Sequence, residues 1–229
     1  MASISFDKCW FSLPLVYICS FQTPQEFQSV SDDMDSTTMA SVTPMKAAWM
    51  PKEMMSEDSE VLVAVSRLVA RVLFEPTPKT TEGIAAMTKV LKPKLYQLFG
   101  NSQNSNGLLL LWDEQFQLAA MAGVAVEKLP GFQDEVPRIC YLVVDPDLHG
   151  RGFGSMLARH CEDWAAARGH RAIWLFHYSH KERLHQWYSK MGYQTMTHLT
   201  ATVPVPGQGE MEGMVQMLER DITLKRKPL

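Results

Sequence analysis

His149-Gly150-Arg151-Gly152-Phe153-Gly154, set directly behind the apolar run Ile139-Cys140-Tyr141-Leu142-Val143-Val144, decides how this sequence folds. The run reads as a buried strand, and the glycines behind it demand a tight turn. Apolar residues then recur at helical spacing at Phe153, Met156, Leu157, Cys161 and Trp164, with Gly169 as the stop. A strand that passes through such a loop into a helix aims several backbone N–H groups and a positive helix end at one point. That is an anion site. Glycine allows the sharp turn and lets the backbone approach a phosphate without a Cβ in between.

Two familiar phosphate loops are excluded. A dinucleotide loop needs a glycine at the sixth position, where Ser155 or Leu157 stands, and a P-loop needs a closing Gly-Lys-Ser/Thr. What the stretch resembles is the coenzyme A loop of the GNAT superfamily of N-acetyltransferases. Val144-Asp145-Pro146 matches the strand end of that motif, and Gly152 and Gly154 match its two glycines. A second motif follows in the right order: Leu184-His185-Gln186-Trp187-Tyr188-Ser189-Lys190-Met191-Gly192-Tyr193 is similar to the family's late helix-to-strand segment. The residues that carry the resemblance lie between 138 and 195. His149 stands where the family usually has Arg or Gln, and Lys181 where it often has Asn.

Working outward, a short strand is expected at Lys46–Met50. A helix capped by Ser56 or Asp58 follows, running to Phe74 with Val61, Val65, Leu68, Val69 and Val72 on one face. A second helix opens at Thr81 or Glu82, carries Ile84, Met87 and Leu91, and is interrupted at Pro93. Leu108–Trp112 and Phe116–Val126 read as a hairpin turning at Asp113-Glu114. Arg138–Val144 is the strand that feeds the loop, and Ala172–Phe176 is an interior strand, so residues 139–176 form a right-handed βαβ unit. Lys181–Met191 is a helix closed by Gly192. Tyr193–Leu199 and Met214–Asp221 are the last strands, parted by a loop at Val203–Gly207. The expected fold is α/β (α+β): a mixed central sheet with flanking helices and a parallel βαβ core, in the order β-α-α-β-β-β-α-β-α-β-β, which is the order of the GNAT fold.

Composition sets the bounds. The 229 residues are 46% apolar and 21% charged, the make-up of an ordinary globular protein, and the net charge of −3 does not favour nucleic acid as a partner. Lys225-Arg226-Lys227 reads as a solvated tail. Cys9, Cys19, Cys140 and Cys161 have no metal-ligand spacing and suggest no disulfide framework, so a reduced, cytoplasmic protein without a metal is expected. The apolar stretch Cys9–Phe21 is too short to cross a bilayer, and it lacks both a basic leader and a clear cleavage site. Residues 22–44 have the composition of a disordered linker. We expect an N-terminal extension over 1–44, disordered or arising from a start assigned too early, and one acetyltransferase-like domain over 45–229.

The resemblance implies acetyl-CoA as co-substrate and direct attack of an amine on its thioester. The backbone of Leu142, Val143 and Val144 would meet the pantetheine arm, with the Val144 N–H polarising the thioester carbonyl. The loop His149, Gly150, Arg151, Gly152, Phe153, Gly154 and Ser155 would hold the pyrophosphate. Lys181, Arg183 and Lys190 are further basic side chains nearby, read as solvated helix charges. Tyr188 aligns with the tyrosine that protonates the departing thiolate. Many relatives place a basic glutamate where this chain has Phe176; His177, adjacent to it, is the candidate base, with His180 and His149 as alternatives. The acceptor would be an amine-bearing small molecule or a protein or peptide, with neither nucleic acid nor membrane involved. A catalytically silent acyl-CoA-binding module is the alternative.

Overall fold

The computed structural model describes residues 46–73, 80–100, 105–129, 132–206 and 215–229. The extension expected over 1–44 lies outside them. Among the described residues the strands are β1 (Lys46–Trp49), β2 (Gly107–Trp112), β3 (Leu118–Lys128), β4 (Glu135–Val144), β5 (Ala172–Tyr178), β6 (Gln194–Pro206) and β7 (Val215–Pro228). The helices are α1 (Glu60–Val72), α2 (Thr81–Leu95), α3 (Phe153–Ala166) and α4 (Glu182–Lys190). Their order along the chain is the expected one.

The strands form one seven-stranded sheet in the order β1-β2-β3-β4-β5-β7-β6. Every neighbouring pair is antiparallel except β4 and β5. Helices α1 and α3 both pack on β3 and β4. Those strands are buried residue after residue, so the helices cover opposite faces. The main core joins α1, α2, α3 and α4 to the sheet through residues such as Leu62, Leu91, Met121, Leu157 and Leu184. A second core, with Trp174, Phe176 and Tyr178, lies under the β6–β7 hairpin against Ala201, Val203, Ile222 and Leu224.

Several boundaries differ from the sequence reading, each for a local reason. Ser59, rather than Ser56 or Asp58, caps α1 by accepting from the Leu62 N–H at 3.2 Å. Helix α2 continues through Pro93. The proline sits on the exposed side, where water can satisfy the Lys89 carbonyl, while Met87, Leu91 and Leu95 stay aligned on the buried face. The helix then widens into a π turn at Tyr96–Gly100, which lays Phe99 across Gly123; a Cβ there would lie 2.3 Å from the Phe99 ring. Phe116 belongs to the turn, not the strand. Its φ is +56°, and Asp113 closes the turn by accepting from the N–H groups of Gln115 and Gln117.

The C-terminal residues differ most. The segment Val203–Pro206, read as loop, is strand, and β7 runs on to Pro228. Lys225 is fully buried, its ammonium donating to Ser189 Oγ at 2.9 Å and Thr195 Oγ1 at 3.2 Å. Burial lowers its pKa. The Lys227 ammonium donates to Glu162 Oε2 at 2.6 Å, and Glu162 Oε1 accepts from the Tyr193 hydroxyl at 2.9 Å. Strand alternation carries Lys225 and Lys227 onto the α3–α4 face, opposite Leu175 and Ile173, so this stretch is framework and no tail.

Candidate active site

Parallel pairing of β4 and β5 is confined to Arg138 and Trp174; beyond that point the strands part toward their C-terminal ends. A bulge helps to produce the opening. Met121 pairs with Val143 and Gly123 with Cys140, so Tyr141 and Leu142 oppose Ala122 alone. Tyr141 takes φ +56° to make the bulge. An aromatic residue enters the left-handed region only when its surroundings hold it there. Here the ring is fully buried and lies edge-on to Phe99 at 6.3 Å. At the vertex, the buried Arg138 guanidinium bonds Glu127 and lies 5.5 Å over the Phe176 ring.

Val144 ends β4 at the wide side of the opening. The Asp145 N–H donates to Ala119 O at 2.9 Å, and Ala120 lies opposite Val144. Antiparallel ladders alternate, so the N–H and C=O of Val144 both turn away from β3, toward the gap. A 3₁₀ turn, Pro146–Leu148, leads into the glycine loop, with Asp145 Oδ1 accepting from the Asp147 N–H. The Asp145 carboxylate also pairs with Arg71 from α1. His149 folds back, its Nε2 lying 3.0 Å from Val144 O.

Gly150 and Gly152 adopt φ +78° and +82°, values that favour glycine. Gly152 caps α3 without any side-chain hydrogen bond, so the first N–H groups of the helix, at Phe153, Gly154 and Ser155, emerge uncapped from the loop. Arg151 is exposed beside them. Trp187 of α4 closes over this turn: a Cβ on Gly154 would lie 3.5 Å from its ring. The loop residues expected from the sequence thus gather at one end of the opening.

The two candidate catalytic side chains also meet. Tyr188 is buried on α4, 4.6 Å from the Trp187 ring and 5.5 Å from Tyr193 between ring centroids. His177 is fully buried near the end of β5 and stacks on Tyr188 at 6.0 Å with the planes 22° apart. Its Nδ1 lies 2.9 Å from the Tyr178 carbonyl, which can only accept, so Nδ1 carries the proton. Nε2 is therefore a lone-pair acceptor, and it has no hydrogen-bond partner among the described residues. Burial first, then the nearby Lys225, His185 and His198, pull the pKa of His177 down to about 4, against the opposing bond to Tyr178. His180 is instead exposed at the turn, stacked on Tyr178. Burial pushes the Cys140 thiol up to about 12, and Cys161 is raised as well, so neither is poised as a thiolate.

Sequence reasoning missed the bulge at Tyr141, the Arg138–Glu127 pair and the burial of Lys225. An arginine inside an apolar strand was the one available signal for the pair. No group of side chains suited to a metal ion occurs among the described residues, and no described helix is long and apolar enough to cross a membrane.

Comparison with known proteins agrees with this fold. The family model for the acetyltransferase (GNAT) family matches residues 75–193, more than half of the chain. Solved structures with the same fold include an acetyltransferase of the GNAT family from Streptococcus pneumoniae, at 15% identity and a TM-score of 0.51, with 81% of this chain and 100% of that one covered. The ribosomal-protein-S18-alanine N-acetyltransferase of Escherichia coli superposes with a TM-score of 0.51 at 16% identity, covering 81% and 94% of the two chains. A protein of Pyrococcus horikoshii OT3 gives a TM-score of 0.55 at 13% identity, with 81% and 99% covered. At such identities the likeness is one of fold. No curated protein matches the sequence.

Proposed function

The chain belongs to the acetyltransferase (GNAT) family, and from that premise we propose that it is an acetyl-CoA-dependent N-acetyltransferase in which an amine attacks the thioester directly. The observation that carries the reading is the parting of β4 and β5 beyond Arg138 and Trp174, with the Val144 N–H turned into the gap. A pantetheine arm has amide groups that can bond along such an exposed strand edge. Gly150 to Ser155 supply the complementary end: an uncapped helix start for a pyrophosphate, with Arg151 exposed beside it. These residues suit the co-substrate, which brings the activated acetyl group.

The roles of the chain's own residues follow from chemistry. The Val144 N–H donates to the carbonyl oxygen on which negative charge develops as the amine adds. Tyr188 gives its phenolic proton to the sulfur as the C–S bond breaks. Nε2 of His177, neutral and without a hydrogen-bond partner among the described residues, takes the proton that the nitrogen loses on becoming an amide. A base with so low a pKa gains little by deprotonating an alkylammonium in advance, so the acceptor enters as the neutral amine. The raised thiol pKa values of Cys140 and Cys161 support direct transfer over an acyl-cysteine route.

The test is a product screen by mass spectrometry. The full chain is incubated with acetyl-CoA and a panel of N-terminal peptides, lysine peptides, polyamines and small amine metabolites. An acetylated product that needs both the protein and acetyl-CoA supports the reading. Tight coenzyme binding with no product from any class would favour a silent acyl-CoA-binding module instead.

A further inference from the structure

The carbonyl of Val144 poses a problem that the structure answers. In an extended strand the N–H and C=O of one residue face the same edge, so both polar groups of Val144 point into the opening. An acyl carbonyl drawn to the N–H would meet the negative end of the neighbouring C=O. His149 covers that oxygen: Nε2 lies 3.0 Å from Val144 O, and because a carbonyl only accepts, Nε2 must carry the hydrogen.

The same contact fixes a peptide plane. The unit joining Val144 to Asp145 is held at both ends, its N–H by Ala119 O at 2.9 Å and its C=O by His149. The Asp145 side chain adds a third restraint through the Asp147 N–H and Arg71. The Val144 N–H belongs to the preceding unit, Val143–Val144, which meets this one only at the Val144 Cα, so fixing the 144–145 plane limits how far that donor can swing when a carbonyl arrives.

We propose that His149 is a positioning residue, a latch that holds and masks the Val144 carbonyl so that the Val144 N–H selects an acyl thioester over free coenzyme A. The side chain acts through the backbone and does not touch the pyrophosphate. This rests on the acetyl-CoA reading above, and its consequence is reduced inhibition by the thiol product.

Two measurements test it on the full chain. Nitrogen-15 NMR of the unliganded protein, with the His149 resonances assigned through His149→Gln, should show Nε2 protonated. A neutral ring carrying its proton on Nδ1 overturns the latch whatever the protein binds. Calorimetry then compares acetyl-CoA with CoA. The parent should prefer acetyl-CoA, and His149→Phe should cut that preference by roughly two- to tenfold, the range for one net hydrogen bond. His149→Gln, whose amide can donate from a similar reach, should restore it. An equal loss of affinity for both ligands in His149→Phe means that the ring touches the coenzyme itself, and the proposal fails, as it does if the parent shows no preference. Should His149→Phe not fold, His149→Asn, whose amide falls short of Val144, serves for the same comparison. If neither ligand binds the parent, the coenzyme reading fails, and the NMR result alone decides the latch.

Discussion

The rings of His177 and Tyr188 stack at 6.0 Å with 22° between their planes, one from β5 and one from α4, both closed off from solvent. This stack joins the strand that leaves the sheet opening to the helix that covers the glycine loop. It also places a neutral acceptor beside a phenol, a useful pairing where one proton must arrive and another depart.

Removing only the phenolic proton tests the acid. Tyr188→Phe keeps the ring that packs on His177, Trp187 and Tyr193, so the fold should persist. Loss of a general acid lowers kcat by about 10²–10⁴, or roughly 3–5 kcal/mol of barrier, with acetyl-CoA affinity nearly unchanged. Steady-state kinetics on the acceptor found by the product screen would show it; a kcat within a few-fold of the parent would reduce Tyr188 to packing.

Neutral His177 should leave a mark on stability against pH. Its folded pKa of about 4 lies below the ordinary histidine value of 6.5, so protons favour the unfolded chain. Stability from this group is complete above about pH 6.5 and falls as pH drops toward 4, by at most about 3 kcal/mol. The groups facing it are His185 and Tyr188 from α4, Lys225 and Thr223 from β7 and His198 from β6. Urea midpoints between pH 7 and pH 4 should decline steeply in the parent and less steeply in His177→Gln. Parallel curves would contradict the assignment.

Two loop glycines should behave differently. Gly152 sits at φ +82°, so Gly152→Ala strains the backbone and costs about 1–2 kcal/mol in thermal stability. Gly154 starts α3, and an added Cβ would make only ordinary contact with Trp187 at 3.5 Å. Gly154→Ala should therefore melt at or slightly above the parent temperature and bind CoA as the parent does, its methyl group turned toward Trp187 and Leu142. Gly154→Val, whose branched side chain overfills that space and displaces the loop, should bind CoA more weakly; undiminished affinity in a folded Gly154→Val would remove the loop from the coenzyme site.

Glu162 should matter for stability and not for chemistry. Glu162→Ala leaves the Tyr193 hydroxyl and the Lys227 ammonium without their common acceptor and should cost on the order of 3 kcal/mol. Burial first, then Glu162, holds the Tyr193 phenol well above its ordinary pKa, so it remains a donor throughout the working range. A double-mutant cycle with Lys227→Met, read by chemical denaturation, should show coupling; additive effects would mean that the contact adds little.

What the sequence revealed, and what it withheld, divides along sequence separation. The βαβ unit and the glycine loop were legible because Val144, Gly152 and the apolar spacing from Phe153 to Trp164 are local signals. Tyr188 was singled out by the order of two motifs, but His177 was one of three histidines offered beside the site, and only the packing of α4 on β5 brings it to Tyr188. The bulge at Tyr141 was not legible, because it is a count of β4 residues against β3, a relation between segments that no single window contains. Nor was the burial of Lys225, since a lysine near a chain end looks solvated until β5 pairs beside it and α4 covers it. The helix at Pro93 was misread because its cost depends on which side faces water, and only packing decides that.

The bulge at Tyr141 has a further consequence, measured in chain length. Between Cys140 and Val143 the strand spends two residues where β3 spends one. Deleting either of them would restore an unbroken ladder with β3, remove the left-handed backbone and let β4 run straight beside β5. The expected product is a protein that folds and closes its own cleft, its Val144 N–H bonded within the sheet instead of facing a ligand. By that measure, the difference between an open cleft and a sealed parallel sheet is a single codon.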